Sequence, residues 1–221
     1  MKDLIETNIK DISGNRDLSP KGKIIRVAEQ LFAKNGIENT SLREIAEQAG
    51  QKNPNAVQYH FESKDRLIHA IWQRHASKIN SKRLLYLDEL TAKPTLNELV
   101  KAMVMPIAEC LSDTNGGQYY LLIMSQLVSH GESNLLNMFL STPENATSLL
   151  LNKMQPYLKN MNDKDRTARM LLIAGVLFHG LSDYLRLKND NAQTVAHVNE
   201  QTIIRNIIAM IESFISAPVN P

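Results

Sequence analysis

Asn53, Asn55 and Gln58 fall within six consecutive residues, interleaved with Ala56 and flanked by Lys52, Tyr59 and His60. Amide side chains so closely spaced suit the reading of hydrogen-bonding edges. Asn and Gln can bond adenine bidentately in the major groove of duplex DNA and serve other base edges singly. Chemistry that breaks bonds is not indicated. The chain has no G-x-S-x-G, no phosphate-cradling glycine loop, no H-E-x-x-H, and no paired carboxylates in a context that sets them apart. Its six histidines are scattered at 60, 69, 75, 130, 179 and 197, and Cys110 is the one cysteine. A single cysteine excludes an intramolecular disulfide and a cysteine-rich zinc site, and it reads as a small core residue. We therefore expect no catalytic residues, no metal site and no cofactor.

Amides read bases only if an element presents them, and the surrounding sequence is dense in helix starts and stops. Ser41-Leu-Arg-Glu44 has the form of a capping box, so a helix starts at Leu42. Leu42, Ile45, Ala46 and Ala49 give it one apolar face, and Gly50 follows where a left-handed residue is wanted. Asn53-Pro54 offers a cap and a proline at the first helical position, which predicts a second short helix over Pro54 to His60. Ser63 caps a third, running to about Leu90. Upstream, Ser19-Pro20 starts and Asn35-Gly36 ends a helix whose stripe of Ile24, Val27, Ala28, Leu31 and Phe32 supplies a hydrophobic bed. Lys21 and Lys23 near its start lie within reach of a phosphate.

Two short helices joined by a turn near a glycine, the second with an outward amide face, fit the helix-turn-helix description. The same spacing also fits an ordinary helical hairpin with a solvated face. The pieces A28-E-Q-L-F-A-K-N-G36, T40-S-L-R-E-I-A-E-Q-A-G50 and V57-Q-Y-H-F-E-S-K64 decide for the first reading: the block from Lys21 to Leu67 resembles the N-terminal domain of TetR-family transcriptional regulators. Two departures stand out. The segment Q51-K-N-P-N-A56 is one residue longer than usual, and Gln58 occupies a position where the family generally has a phosphate-touching aromatic residue. The resemblance implies base reading around Lys52, Asn53, Asn55, Ala56 and Gln58. It also implies phosphate anchoring by Ser41, Arg43, Tyr59, His60 and Lys64, with Lys21 close by.

The charge distribution agrees. Net charge is only +2 over 221 residues, yet residues 19–75 hold 9 Lys/Arg against 6 Asp/Glu, while residues 76–221 balance at 13 each. Phosphate contact confined to one end would look like this. Residues 1–18 mix charges and end in Ser13-Gly14-Asn15, which reads as a flexible arm. Their acidic residues do not fit a signal peptide, and the apolar run Met170 to Ser182 is too short for a bilayer, so the expected location is cytoplasmic, away from any membrane.

From residue 76 onward the pattern stays helical. Lys93-Pro94-Thr95 caps a helix with Leu96, Leu99, Val100, Met103, Val104, Ile107 and Leu111 facing inward and Pro106 as a kink. Asp113 to Gly117 is a turn, Tyr119 to His130 a helix, Asn134 to Leu140 a short piece, and Thr142-Pro143 the cap of another helix. Arg169 to Leu187 is apolar around most of its cylinder, and Thr202 to Ile215 carries an isoleucine repeat. Helices apolar on several sides are buried on several sides. Either they lie deep in the monomer, or a second copy covers them through Val176, Leu177, Tyr184, Ile204, Ile207 and Ile211. The resemblance implies the dimer.

Met103, Tyr119, Met124, Phe139, Phe178 and His179 are candidates for a small-molecule pocket, since methionine lining adapts to varied apolar ligands. Residues on helical stripes are also ordinary core. His179, beside Phe178 and Gly180, reads as a neutral core or pocket histidine. The fold expected is all-α: a three-helix helix-turn-helix domain over 19–75 and a larger helical regulatory and dimerisation domain over 76–221. The function expected is a dimeric transcriptional repressor, released from a palindromic double-stranded DNA operator by a small hydrophobic effector. The alternatives are a dimeric DNA-binding regulator without an inducer, and a helical enzyme or carrier.

Overall fold

The computed structural model describes residues 19–129 and 146–218. The arm over 1–18, the short piece Asn134 to Leu140, the Thr142-Pro143 cap and the pocket candidate Phe139 lie outside the described residues. Within them every regular element is helical: α1 Pro20–Asn35, α2 Leu42–Gln48, α3 Ala56–Phe61, α4 Lys64–Asp88, α5 Leu96–Ala108, α6 Gly117–Ser129, α7 Ala146–Leu158, α8 Asp163–Asn189 and α9 Glu200–Ser216, with single 3-10 turns at Glu109–Leu111 and Gln193–Val195.

Caps set the starts. The hydroxyls of Ser19, Ser41, Ser63 and Thr95 each accept the backbone N–H three residues on, and at Thr95 the Glu98 carboxylate reaches back to complete the box. Gly50 takes the left-handed φ of 67° expected after α2. The start of α3 differs from expectation. The Asn53 side-chain oxygen accepts the Asn55 N–H at 2.9 Å and its carbonyl accepts the Ala56 N–H at 3.0 Å, so Pro54 occupies a turn and the helix begins at Ala56.

Helices of seven and six residues are too short to persist alone. Ile45, Ala46, Ala56, Val57 and Phe61 are buried with Ile24, Ala28 and Phe32 of α1 and Leu67, Ile68 and Ile71 of α4 in one core. Each large side chain there contributes about 2 kcal/mol. The 25 residues of α4 run about 37 Å and pack first on α1 and α3, then on α5, α6 and α7. No linker separates the two ends of the molecule.

All the α5 positions expected to face inward are buried. Pro106 lies inside α5, where it has no N–H for the Ala102 carbonyl. The Arg83 side chain of α4 supplies the missing donor, Nε to the Ala102 oxygen at 3.2 Å, and the helix passes into a 3-10 turn two residues later.

Helix α8 begins six residues earlier than expected, capped by Asn162, and spans 27 residues. By length and composition the whole helix is long and apolar enough to cross a bilayer, a test that core helices also pass; in this fold 39% of its most apolar window is buried within the chain. Four residues assigned to a second copy are used here at home: Leu177, Tyr184, Ile207 and Ile211 are buried between α8, α9 and the rest of the body. The isoleucine repeat of α9 is thus an intrachain face. What points outward instead is Leu171 and Leu172, both near 60% exposed, and Met210, with Val176, Ile203, Ile204 and Phe214 half-buried.

Candidate nucleic-acid interface

The turn before α3 and the outer face of α3 carry Lys52, Asn53, Asn55, Gln58 and Tyr59, all exposed, with His60 half-buried. Ala56 is the exception: at 7% exposure its side chain joins the core and cannot reach a base edge. Asn55 is the cap residue of α3 and makes no side-chain cap bond, so its amide is directed elsewhere. The Asn53 oxygen accepts the Asn55 N–H, which orients the amide and leaves its NH2 and the second lone pair of its oxygen available. Tyr59 is the most exposed large aromatic at 82%, its ring edge-on to His60 at 5.1 Å. A phenol held out in solvent is placed to donate to a phosphate oxygen.

The cations divide. Lys21 of α1 lies over the Phe61 ring at 5.3 Å, which brings the start of α1 to the end of α3. Arg43 pairs with Glu47 one turn on at 3.0 Å, both highly exposed. Such a pair is worth under about 1 kcal/mol, little to set against a phosphate. Ser41 accepts the Glu44 N–H, and its hydroxyl hydrogen remains to be donated. Lys64 has an intrachain partner as well: its ammonium donates to the Ile37 carbonyl at 2.9 Å, tying the start of α4 to the turn after α1, and it keeps two N–H groups for any phosphate.

Ile37 is gripped from the other side as well. Its N–H donates to the Gln126 side-chain oxygen at 2.8 Å, and the Gln126 NH2 donates to the Phe32 carbonyl at 2.9 Å. A side chain from α6 therefore caps the end of α1. Thr40, fully buried, closes the same turn by donating to Gly36 and Leu31. A second link lies one turn back along α1. Buried Glu29 bonds His75 at 2.9 Å and Arg74 at 3.1 Å, and the His75 ring stacks on Tyr120 of α6 at 4.8 Å. Sequence reasoning missed both links. Glu29 stands beside the apolar stripe of α1, the only signal it gave, and Gln126 is one of several polar residues in a mostly apolar helix.

The pocket candidates separate. Met103, Met124 and Phe178 are buried, Tyr119 is exposed at the start of α6, and a ring nitrogen of His179 lies 3.2 Å from the Ser129 hydroxyl. Among the described residues a cleft between α4 and the end of α5 is lined by His75, Lys78, Ile79, Lys82, Pro106, Glu109, Cys110 and Asp113. Its lysines are both paired, Lys78 with Asp113 and Lys82 with Glu109. No group of three or more potential metal ligands occurs among the described residues.

Residues 24–71 match the family model described as bacterial regulatory proteins, tetR family. The chain is 37% identical over 71 residues to the HTH-type transcriptional regulator AcrR of Shigella flexneri; the match covers 32% of this chain and about a third (33%) of that relative. In fold it is similar to Salmonella enterica GusR, with TM-score 0.51 at 17% identity over 92% of this chain and 98% of that one. It is equally similar to the superantigen PfiT, with TM-score 0.51 at 18% identity over 89% and 97%. At such identities these two likenesses speak for the fold alone, and they extend it over nearly the whole chain. The sequence match falls on α1 to α4, where the exposed amides and the caps also are. Residues 24–71 are thus similar to the N-terminal helix-turn-helix domain of the tetR family of bacterial regulatory proteins.

Proposed function

We propose that the chain is a cytoplasmic, dimeric repressor that binds a near-palindromic operator through α2 and α3 and leaves it when a small molecule binds in the body. The observation that carries the DNA-binding part is the outer face of α3 and its preceding turn. Asn55, Gln58 and Lys52 are exposed there for bases, with Ser41, Arg43, Tyr59, His60 and Lys21 around them for phosphates. We place the DNA-binding domain at 19–75 and the regulatory and dimerisation domain at 76–221, with α4 common to both.

For the dimer, Leu172 and Val176 of α8 and Met210 and Phe214 of α9 are i, i+4 pairs with apolar side chains at least partly exposed to solvent. A second copy covering this face would hold the two α3 helices at a fixed separation. The operator half-sites then lie about one helical turn, roughly 34–36 Å, apart. A ligand that prefers a different tilt of α4 changes that separation, and linkage requires that it lose affinity by the same factor when operator is bound.

Selection of bound fragments from genomic DNA, followed by footprinting, tests the reading. We expect two protected half-sites in inverted orientation. Recovery of unrelated fragments, or protection without two-fold symmetry, would overturn it.

A further inference from the structure

We propose that the body holds an anion-binding subsite at Arg83, so that the effector is an organic acid whose carboxylate meets this guanidinium. The inference rests on the effector reading above and gives that effector a chemical class.

Arg83 lies mid-way along α4 and is 4% exposed. Its contacts are Nε to the Ala102 carbonyl at 3.2 Å, Nη2 to the Met103 carbonyl at 3.2 Å, and Nη1 to the Thr147 hydroxyl at 2.7 Å and the Asn80 amide oxygen at 3.5 Å. Every one of these partners is neutral, and among the described residues no carboxylate pairs with it. This is the uncommon arrangement, because a buried charge is ordinarily paired. Its solvation loss shows in the side chain's acidity: burial brings the Arg83 pKa down to about 10, which still leaves it charged at neutral pH.

The orphan carbonyl created by Pro106 explains part of this residue, but a neutral donor would serve that carbonyl as well. What it does not explain is the positive charge. The edge of the guanidinium formed by Nε and Nη2 is occupied by the two α5 carbonyls. The end formed by Nη1 and Nη2 retains one N–H, and its contact to Asn80 is at the limit of a hydrogen bond. A carboxylate arriving end-on would take both nitrogens, with the Thr147 hydroxyl, which now points to Asn80 at 3.4 Å, turning to donate to it. The surroundings define the rest of the ligand. Tyr120 is fully buried near Arg83, burial holds its phenol neutral, and its ring stands between His75 and an edge-on Phe178 at 6.4 Å. An aromatic or aliphatic body suits such apolar neighbours. The cleft by Lys78 and Lys82 offers no comparable charge, since each lysine there has its carboxylate.

The test uses the full chain and a panel of monocarboxylates, benzoate to decanoate, each beside its primary amide, with affinity read by calorimetry and operator release by fluorescence anisotropy. At least one acid should bind about tenfold or more tightly than its amide, the ratio expected of one charge-assisted hydrogen bond. That preference should vanish in Arg83→Gln and survive in part in Arg83→Lys. Thr147→Val leaves the contacts of Arg83 to α5 in place and should weaken the acid several-fold, which keeps the test decisive if Arg83→Gln fails to fold. No acid binding, equal binding of acids and amides, or an undiminished preference in both Arg83→Gln and Thr147→Val would each overturn the proposal. The two readings part cleanly: amides that release operator leave the effector reading standing without the anion site, whereas acids that bind through Arg83 yet leave operator affinity unchanged establish the site and remove the effector reading.

Discussion

Replacing Gln126 by Leu removes the bridge between α6 and the turn after α1 while keeping a side chain of similar size. The two bridging hydrogen bonds disappear, Ile37 N–H to Oε1 at 2.8 Å and Nε2 to the Phe32 carbonyl at 2.9 Å, together with a bond from Nε2 to the Leu122 carbonyl of its own helix at 3.2 Å. Each bridging bond is worth about 1 kcal/mol net, and Ile37, 6% exposed, would keep an N–H with little access to water as a substitute partner. The expected loss is about 2 kcal/mol, or roughly 4–8 °C in Tm for a chain of this size. Gln126→Glu is the informative companion, since a carboxylate still accepts from Ile37 but repels the Phe32 carbonyl, and it should lose at least half as much. Urea unfolding followed by circular dichroism measures the stability, and amide exchange at Ile37 localises it. A variant within about 0.5 kcal/mol of wild type, with Ile37 protected as before, would refute the view that α6 caps α1. If the bridge also carries regulation, operator affinity of the unliganded Leu variant should fall while its α3 face is unaltered.

Asn55→Ala should cost roughly 1–3 kcal/mol of operator affinity and relax selectivity at one base pair, read by binding to a set of single-substituted operators; unchanged selectivity would remove it as a reader. Leu172→Arg with Met210→Arg puts charge on the outward face of α8 and α9 and should give folded monomers by sedimentation, whereas Ile207→Asp buries a charge inside one chain and should unfold it. A dimer persisting in the first variant would move the interface elsewhere. Cys110, 6% exposed, has its thiol pushed up to about 12 by burial and then by Asp113, so iodoacetamide at pH 8 should label it only as the chain unfolds. Rapid labelling of native protein would contradict that environment.

Much of the scaffold was legible because its signals are local. Ser19, Ser41, Ser63 and Thr95 announce helix starts through hydrogen bonds to residues three along, and Gly36 and Gly50 mark ends through positive φ. Asn53-Pro54 was ambiguous, since cap plus first-turn proline and turn plus proline use the same residues; the outcome depended on where the Asn53 oxygen bonded. The start of α8, Asp163 to Ala168, carries no apolar period, and only the Asn162 cap marks it. Periodicity gave α9 an apolar face but could not say whose surface fills it, and Ile207 and Ile211 turn to their own chain. Lys64, Gln126 and Arg83 were beyond reach for a common reason. Their roles depend on partners 27, 89 and up to 64 residues away, brought together only by the fold.

Ile37 shows what this means for treating the chain as exchangeable parts. Its N–H belongs to the body through Gln126 and its carbonyl to α4 through Lys64, so a chimaera joined near residue 75 would inherit a reading head with half its fastening. A graft onto another regulator's body would have to bring Gln126, or an equivalent amide at that height of the host helix, together with an aromatic to receive His75. Modularity in this molecule therefore follows the hydrogen bonds and not the order of the residues. The smallest transplantable unit is a set of separated positions, two of which lie far downstream of the domain they complete.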